Sequence, residues 1–443
     1  MNYIANTSEQ QKEMLKICGV SSIDELFSQI PESLRPHSFF LPQGLSELEV
    51  TDIIRKMASL NYSNLINFLG GGFYDHFIPA AIEGIISRGE FYTAYTPYQP
   101  ELSQGTLQAI YEYQTDICRL TDLDYANASL YDGGTALYEA CQIAINSTNR
   151  NHIIMDGGVN PIYKKMIYSY TSNLSIDFTE IPVLNGHTDR EKLFHSLNTN
   201  IAAVILQNPD FFGVIDDYED ICHECHKHGI LVVQSTYPIP LSIMKTPGAC
   251  GVDIATGEGQ SLGIPLSFGG PYLGFMAINR SLIRKMPGRV VGRTTDTLGR
   301  EGFVLTMQTR EQHIRREKAT SNICTNQALC ALRAHIFLSL LGKEGLKEMA
   351  QLCLDKAYYA KTRIKAISSV EIEDTCTTFN EFVVKLPVDA GEVASKMIDR
   401  GFAAGFPLGR YFPDMKNQLL VAVTEKRTKY EIGRFADTLE DVL

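Results

Sequence analysis

The sequence lacks any apolar run long enough to cross a membrane, and it lacks an excess of positive charge. Its apolar runs, such as 230–233, fall far short of the ~20 residues that a membrane helix requires. The 40 basic and 51 acidic residues give a formal net charge of −11, which disfavours a polyanionic partner. We therefore expect a soluble protein that binds neither a membrane nor nucleic acid.

A secretory signal and a disulfide framework are also missing. The first eleven residues are mostly polar, and no basic start leads into an apolar block. The ten cysteines are scattered between Cys18 and Cys376 instead of being regularly spaced in a short chain. These features predict reduced thiols and a cytoplasmic location.

Short apolar runs alternate with amphipathic stretches through the middle of the chain. This alternation is typical of a parallel sheet covered by helices. The strand-like runs are 126–130, 152–155, 202–207, 230–233 and 272–278, and two clear helix-like segments are 135–146 and 217–228.

The two ends of the chain have sequence patterns that differ from this alternation. Residues 1–65 carry short helical patterns, including one that Ser46 could cap, and we predict a helical arm there. Residues 66–325 form the predicted large α/β domain. Residues 326–443 are predicted to form a linker helix, interrupted near Gly342 and Gly345, and a small α+β domain with strands at 381–386 and 419–423 and helices at 392–400 and 430–439.

Three stretches are unusually rich in glycine, aromatic and polar residues, namely 68–76 with 92–101 and 103–105, then 127–136, and then 252–271. The first predicts an ordered loop that displays Tyr95, Tyr98, Gln99 and Glu101 and lines a site. Its alternative is a structural loop whose tyrosines pack under a neighbouring subunit. The third stretch would let the backbone approach a ligand or another chain closely.

The second stretch passes from a strand through Asp132, Gly133 and Gly134 into a helix that begins near Thr135. Free N–H groups at a helix start attract phosphate or carboxylate. The turn lacks the spacing of a dinucleotide or P-loop fingerprint. It is therefore either an anion site or a tight strand-to-helix connection.

These three stretches, together with Met-Pro-Gly-Arg-Val-Val-Gly at 286–292 and Gln-Thr-Arg-Glu-Gln-His-Ile-Arg-Arg-Glu-Lys-Ala-Thr-Ser-Asn at 308–322, resemble the glycine decarboxylase family. The resemblance is most specific between Phe68 and Asn326. It implies an α/β protein with the pyridoxal phosphate-dependent transferase fold, which is aspartate aminotransferase-like and of fold type I. Such a fold has a mostly parallel seven-stranded sheet in a large domain and a small α+β C-terminal domain.

A pyridoxal phosphate enzyme needs a lysine amine for a Schiff base, and the corresponding loop, 257–271, contains none. Alignment with the family's lysine motif on Ile264 and Pro265 puts Gln260 at the lysine position. The preceding strand end, 233–237, also offers no acid for the pyridinium nitrogen, and Lys245 lies outside the loop. The resemblance therefore implies a lysine-free alpha subunit, which works with a beta subunit that carries the lysine and the cofactor.

The implied reaction decarboxylates glycine and transfers its aminomethyl group to the lipoyl arm of the carrier H-protein. We predict a pair of alpha–beta units. The expected active-site wall towards the beta subunit is Tyr95, Thr96, Tyr98, Gln99, Glu101, Asp132 and Gly133. The basic residues Arg310, Arg315, Arg316 and Lys318 are expected to dock the carrier or the partner, unless they form a solvated face balanced by Glu311 and Glu317.

A metal site and a different function are the two other interpretations of this sequence. The Cys222–His228 segment contains Cys-x-x-Cys and histidines, but it reads as an ordinary crossover helix without a second ligand pair, so we predict no metal site. A self-contained pyridoxal phosphate enzyme that uses another lysine, or a catalytically silent regulatory or scaffold relative of the same fold, stands as the alternative function.

Overall fold

The computed structural model describes residues 5–36, 38, 40–62, 64–184, 186–267, 269–373 and 375–443. The chain divides into two compact units between residues 63 and 64. The smaller unit contains helices α1 (Ser8–Cys18) and α2 (Glu47–Ala58). Each helix begins at a capping box, formed by Thr7 with Gln10 and by Ser46 with Glu49, in which each side chain accepts from a free backbone N–H. The cap predicted at Ser46 is confirmed.

The larger unit alternates helices with strands. Its helices are α3 (Ala80–Ile86), α4 (Gly89–Tyr92), α5 (Gln104–Thr121), α6 (Gly133–Thr148), α7 (Pro161–Thr171), α8 (Arg190–Ser196), α9 (Glu219–Lys227), α10 (Gln312–Arg315), α11 (Ala328–Lys365), α12 (Ala390–Asp399) and α13 (Lys429–Val442). Its strands are β1 (Ile66–Asn67), β2 (Tyr125–Ala126), β3 (His152–Asp156), β4 (Asp177–Ile181), β5 (Val183–Leu184), β6 (His187–Thr188), β7 (Ile201–Asn208), β8 (Leu231–Thr236), β9 (Ile254–Glu258), β10 (Gly274–Ile278), β11 (Val290–Thr295), β12 (Glu301–Thr306), β13 (Glu381–Lys385), β14 (Phe402–Ala403), β15 (Phe406–Pro407) and β16 (Gln418–Ala422). Among the described residues, no helix combines the length and apolar content needed to cross a membrane.

The central sheet has seven strands in the order β2-β10-β9-β8-β7-β3-β4. The five strands from β9 to β4 are parallel, whereas β10 is antiparallel to both of its neighbours. Alternate residues of β3 enter different cores: Ile153 and Met155 pack with α6, and Ile154 packs with residues of α8 and α9. Because successive side chains of a strand point to opposite faces, helices cover both faces of this sheet. The predicted fold class is confirmed.

One predicted strand is shorter than expected. The apolar run 126–130 forms only the end of β2 and an isolated bridge between Leu130 and Gly274. Ser129 has a φ of 149°, which takes the backbone out of the extended conformation. Its hydroxyl instead accepts hydrogen bonds from Asn326 Nδ2 and Gln327 N, and these bonds hold the start of α11 against the sheet.

The C-terminal part of the larger unit has its own hydrophobic cluster. The end of α11 packs there with β13, β16, α12 and α13, and the strands pair in the order β13-β16-β15. The predicted interruption of the linker helix occurs at Gly342, whose φ of 61° and ψ of −172° are not helical. We propose a domain boundary near residue 326, where the chain enters α11.

Candidate functional site

A narrow cavity lies at the carboxyl ends of β8 and β9, the edge at which open α/β sheets bind ligands. Its volume is about 30 Å³, enough for a water molecule or two but for no larger ligand. Polar and aromatic side chains line it, including Tyr74, Asn160, Tyr163, Tyr237, Glu258 and Glu381. The space at this edge of the sheet is thus largely filled by the protein itself.

Gln260, at the position where the family's lysine is expected, is buried beside this cavity. Its Nε2 donates to the carbonyl oxygens of Ile264 at 2.7 Å and Tyr74 at 3.2 Å, and its Oε1 accepts from Tyr74 N at 2.9 Å. Both donors and one acceptor site of the amide are therefore occupied by backbone. Gln260 joins the glycine-rich loop to the segment around Tyr74.

The glycine turn, interpreted from sequence as either an anion site or a tight strand-to-helix connection, is bound by a carboxyl group of this chain. Glu258 Oε2 accepts from Gly133 N at 2.9 Å, and Oε1 accepts from the N–H groups of Gln260 and Leu273, each at 3.0 Å. Asp132 caps the same helix by accepting from Thr135 N at 2.8 Å. Burial raises the pKa of Glu258 to about 7. An external anion would have to displace Glu258 to reach the N–H of Gly133.

A second buried carboxylate, Glu381, connects the C-terminal module to the cavity. It accepts from Gly71 N at 2.7 Å and from the Tyr74 hydroxyl at 2.8 Å, and burial raises its pKa to about 7. A Cβ at Gly70 would lie 1.9 Å from Glu381 Oε1. The glycine-rich segment is therefore needed here so that the backbone can approach this carboxylate.

His76 lies in a buried polar cluster beside the cavity. Its Nδ1 is 2.6 Å from Glu425 Oε2, and its Nε2 contacts the Tyr237 hydroxyl. Cys353 Sγ lies 3.4 Å from the same Glu425 oxygen. Histidine, cysteine and glutamate can share a metal ion, and these three are close enough together. However, 2.6 Å is a direct hydrogen-bond distance. Both ring nitrogens of His76 are therefore occupied by side chains of this protein.

The cysteines of the Cys222–His228 segment pack into the core. Cys222 and Cys225 on α9 are buried in the hydrophobic cluster beneath the sheet, and burial raises the pKa of Cys225 to about 12. His226 points outward and pairs with Asp253 at 2.9 Å. The sulfur and imidazole groups thus lie on different sides of the helix.

The loop proposed as an active-site wall is largely open to solvent. Tyr95 is 75% exposed and Tyr98 is 53% exposed, Gln99 and Glu101 are exposed, and Thr96 is half-buried. Tyr98 contacts Arg289, whose Nη2 donates to its hydroxyl at 3.0 Å. The structure joins Gly133 and Gln260 through Glu258, with Asp132 on the same turn, whereas Tyr98 of the loop contacts Arg289.

The four basic residues proposed for docking do not share one environment. Arg315, Arg316 and Lys318 are exposed. Arg310 is half-buried and donates to the carbonyl oxygens of Met307 at 3.1 Å and Gly288 at 3.0 Å. Only three of the four are therefore available on the surface of this chain.

The sequence model of the family described as glycine cleavage system P-protein matches residues 1–439. The chain belongs to this family. It is 53% identical over 443 residues to a protein of Maridesulfovibrio salexigens and to one of Geotalea uraniireducens, covering 100% of each chain, and both bear the name probable glycine dehydrogenase (decarboxylating) subunit 1.

Solved structures share the fold of this chain. A crystal structure of glycine decarboxylase (P-protein) of the glycine cleavage system, in inhibitor-bound form, matches with a TM-score of 0.95 and 39% identity over 100% of both chains. Glutamate decarboxylase of Lactobacillus brevis matches with a TM-score of 0.70 and 11% identity, over 95% of this chain and 96% of the other. The second likeness shows the fold alone, which is that of pyridoxal phosphate-dependent enzymes of fold type I.

Several residues in and beside the cavity were not singled out from the P-protein sequence. Glu381 and Glu425 lie in the C-terminal module, more than 300 positions from the segment that they bind. One usable signal was present: Glu258 stands at the end of a fully buried strand, and Glu381 stands at the start of a strand whose next three residues are apolar. A carboxylate at such a position is buried only when it is paired or hydrogen-bonded.

Proposed function

We propose that this chain is the alpha subunit of a two-subunit glycine decarboxylase, and that the cofactor and its lysine belong to a beta subunit. Relatives of the same length and about half identical in sequence bear the name of subunit 1 of this enzyme. One observation supports assigning the cofactor to the beta subunit. Glu258 accepts a hydrogen bond from the N–H of Gly133, at the helix start where a phosphate group would bind.

The residues of this chain do not fit pyridoxal phosphate. Gln260 offers an amide where an amine is needed, Glu258 occupies the helix start, and the cavity of about 30 Å³ is far smaller than the cofactor. We therefore derive no chemical step on this chain. Its contribution is to complete, from outside, a dry pocket around a reaction centre held by the partner, because loss of CO₂ from a carboxylate is favoured away from water.

The proposed wall of that pocket is Tyr95, Thr96, Tyr98, Gln99 and Glu101, with Asp132 and Gly133 behind them. Its support is exposure: two large aromatic residues, Tyr95 and Tyr98, are mostly open to solvent in this chain, as expected of groups that a partner covers. Tyr95→Phe and Tyr98→Phe should each lower glycine decarboxylation by the reconstituted pair about tenfold, roughly 1.4 kcal/mol. Unchanged rates in both variants would refute the assignment.

We also propose that the pair hands the aminomethyl group to the lipoylated H-protein and that two alpha–beta units assemble together in the cytoplasm. The exposed charges of Arg315, Arg316 and Lys318 support docking of an acidic carrier, with Arg310 holding the base of their segment. The KM for the carrier should then rise severalfold between low and physiological salt. A KM that is independent of salt would remove this role.

The experiment that tests the function mixes this chain with a lysine-bearing beta subunit and the carrier. Glycine-dependent exchange of bicarbonate is expected with the mixture and with neither subunit alone. Exchange by this chain alone would show a self-contained enzyme. A beta subunit that is fully active alone would instead show that this chain is a silent relative.

A further inference from the structure

Two arginines are buried among the residues that the structure describes, and they differ in one respect. Arg427 is 6% exposed, and it lies 3.2 Å from Asp75 Oδ2 and 3.8 Å from Glu431 Oε1. Arg289 is 4% exposed, and within the described ranges no carboxylate oxygen lies within 4.0 Å of it. One buried guanidinium is thus neutralised by this chain, and the other is not.

The contacts of Arg289 are all with neutral groups. Nη2 donates to the Tyr98 hydroxyl at 3.0 Å, and Nη1 lies 3.4 Å from Asn326 Oδ1. Nε has no partner among the described residues, and the Tyr98 ring lies 5.4 Å from the guanidinium carbon. A guanidinium keeps its charge in proteins, and a buried charge without a counter-ion is strongly unfavourable. An ion from outside this chain would remove that penalty.

A second guanidinium adds positive charge to the same turn. Arg310 Nη2 donates to the carbonyl oxygen of Gly288, the residue before Arg289, at 3.0 Å. Arg310 Nη1 is buried without a partner in the described part of the chain, and burial lowers the pKa of Arg310. Arg310 thus brings a second cationic group with an unused N–H donor to the residue before Arg289, in a protein whose net charge is −11. Forked N–H donors of this kind match carboxylate and phosphate oxygens.

We propose that Arg289, together with Arg310, is a receptor for a small oxyanion, either a carboxylate or a phosphate group. The anion enters beside Tyr98, whose half-exposed ring is the cover that separates Arg289 from solvent. The source of the anion rests on the proposed function: it is the carboxylate of glycine or the phosphate of a cofactor held by the beta subunit. The existence of the receptor does not depend on that function, since its residues belong to this chain.

Thermal unfolding measures the receptor directly. For both the full chain and its complex with the beta subunit, Tm is compared in potassium phosphate, potassium acetate and potassium chloride at equal ionic strength. Phosphate or acetate should raise Tm of the wild type by a few degrees relative to chloride. Arg289→Met, which has a similar stem but no charge, should show no such rise, and its Tm in chloride should equal or exceed that of the wild type.

Arg427→Met is the matched control, because it removes a buried arginine that does have carboxylate partners. It should lower Tm in chloride and leave the response to phosphate and acetate intact. The proposal is overturned if the wild type shows no anion-dependent rise in either state. It is equally overturned if Arg289→Met loses stability as Arg427→Met does and still responds to the anions.

The reconstituted pair distinguishes the two sources. If Arg289 binds the substrate carboxylate, Arg289→Lys should raise KM for glycine tenfold or more while the pyridoxal phosphate content of the pair stays unchanged after dialysis. If it binds the cofactor phosphate, the pair should lose pyridoxal phosphate on dialysis, and KM for glycine should stay within twofold once cofactor is restored. A wild-type pair without turnover, but with the anion-dependent Tm rise, would sink the proposed function and leave the receptor standing.

Discussion

Replacing Gln260 by lysine is expected to leave this chain unable to hold pyridoxal phosphate and to lower its free energy of unfolding by about 2–4 kcal/mol. The new amine would lie beside a cavity of about 30 Å³ and next to a helix start already bound by Glu258. Tyr74 N would lose its acceptor, and an ammonium group would enter a buried site. The measurements are visible absorbance after incubation with the cofactor and urea unfolding.

Gln108→Lys is the control for this change, because Gln108 is exposed on α5 and bonds only Glu112 in the described structure. It should alter stability by less than about 0.5 kcal/mol. A Gln260→Lys chain that turned yellow and retained the cofactor after borohydride reduction would contradict the view that Glu258 and the small cavity exclude it.

Glu381→Ala is expected to lower the free energy of unfolding by about 3–5 kcal/mol. The substitution removes the acceptor of both Gly71 N and the Tyr74 hydroxyl. Both donors are buried, so water cannot replace the carboxylate without opening the contact between β13 and the glycine-rich segment. Chemical denaturation followed by circular dichroism measures the change.

Glu371→Ala tests the same substitution at an exposed ion pair. Glu371 lies 2.7 Å from Lys385 Nζ, but both side chains are more than half exposed, so the expected loss is at most about 1 kcal/mol. Equal effects of the two substitutions would show that the bonds of Glu381 to Gly71 and Tyr74 contribute no more than a surface pair.

Most of the fold could be predicted from local sequence patterns. The Ser46 cap, the alternation of β3, β7 and β8 with helices, and the break at Gly342 all depend on residues close together in sequence, whose periodicity and turn chemistry can be read directly. The early end of strand β2 within the apolar run 126–130 could not be predicted in this way. Ser129 leaves the extended conformation to bind the start of α11, about 200 residues later.

The candidate site depended on pairings that sequence does not encode locally. The absence of lysine from 257–271 is visible in the sequence, and the placement of Gln260 at the lysine position stays a prediction. Two features follow only from how distant segments pack: the carboxylate of Glu258 binds Gly133, and Arg289 has no carboxylate partner among the residues that the structure describes. The proposed wall and docking residues act through contacts with a second chain, which no pattern within this sequence describes.

The internal carboxylate at the Gly133 turn has an evolutionary consequence. A lineage that acquired a ligand there would need to lose Glu258, gain an amine and enlarge the cavity. Loss of Glu258 alone would expose three buried N–H groups, and the amine alone would be buried without room for a ligand. Because loss of Glu258 and gain of a buried amine are each unfavourable alone, we do not expect this turn to acquire such a ligand through single substitutions.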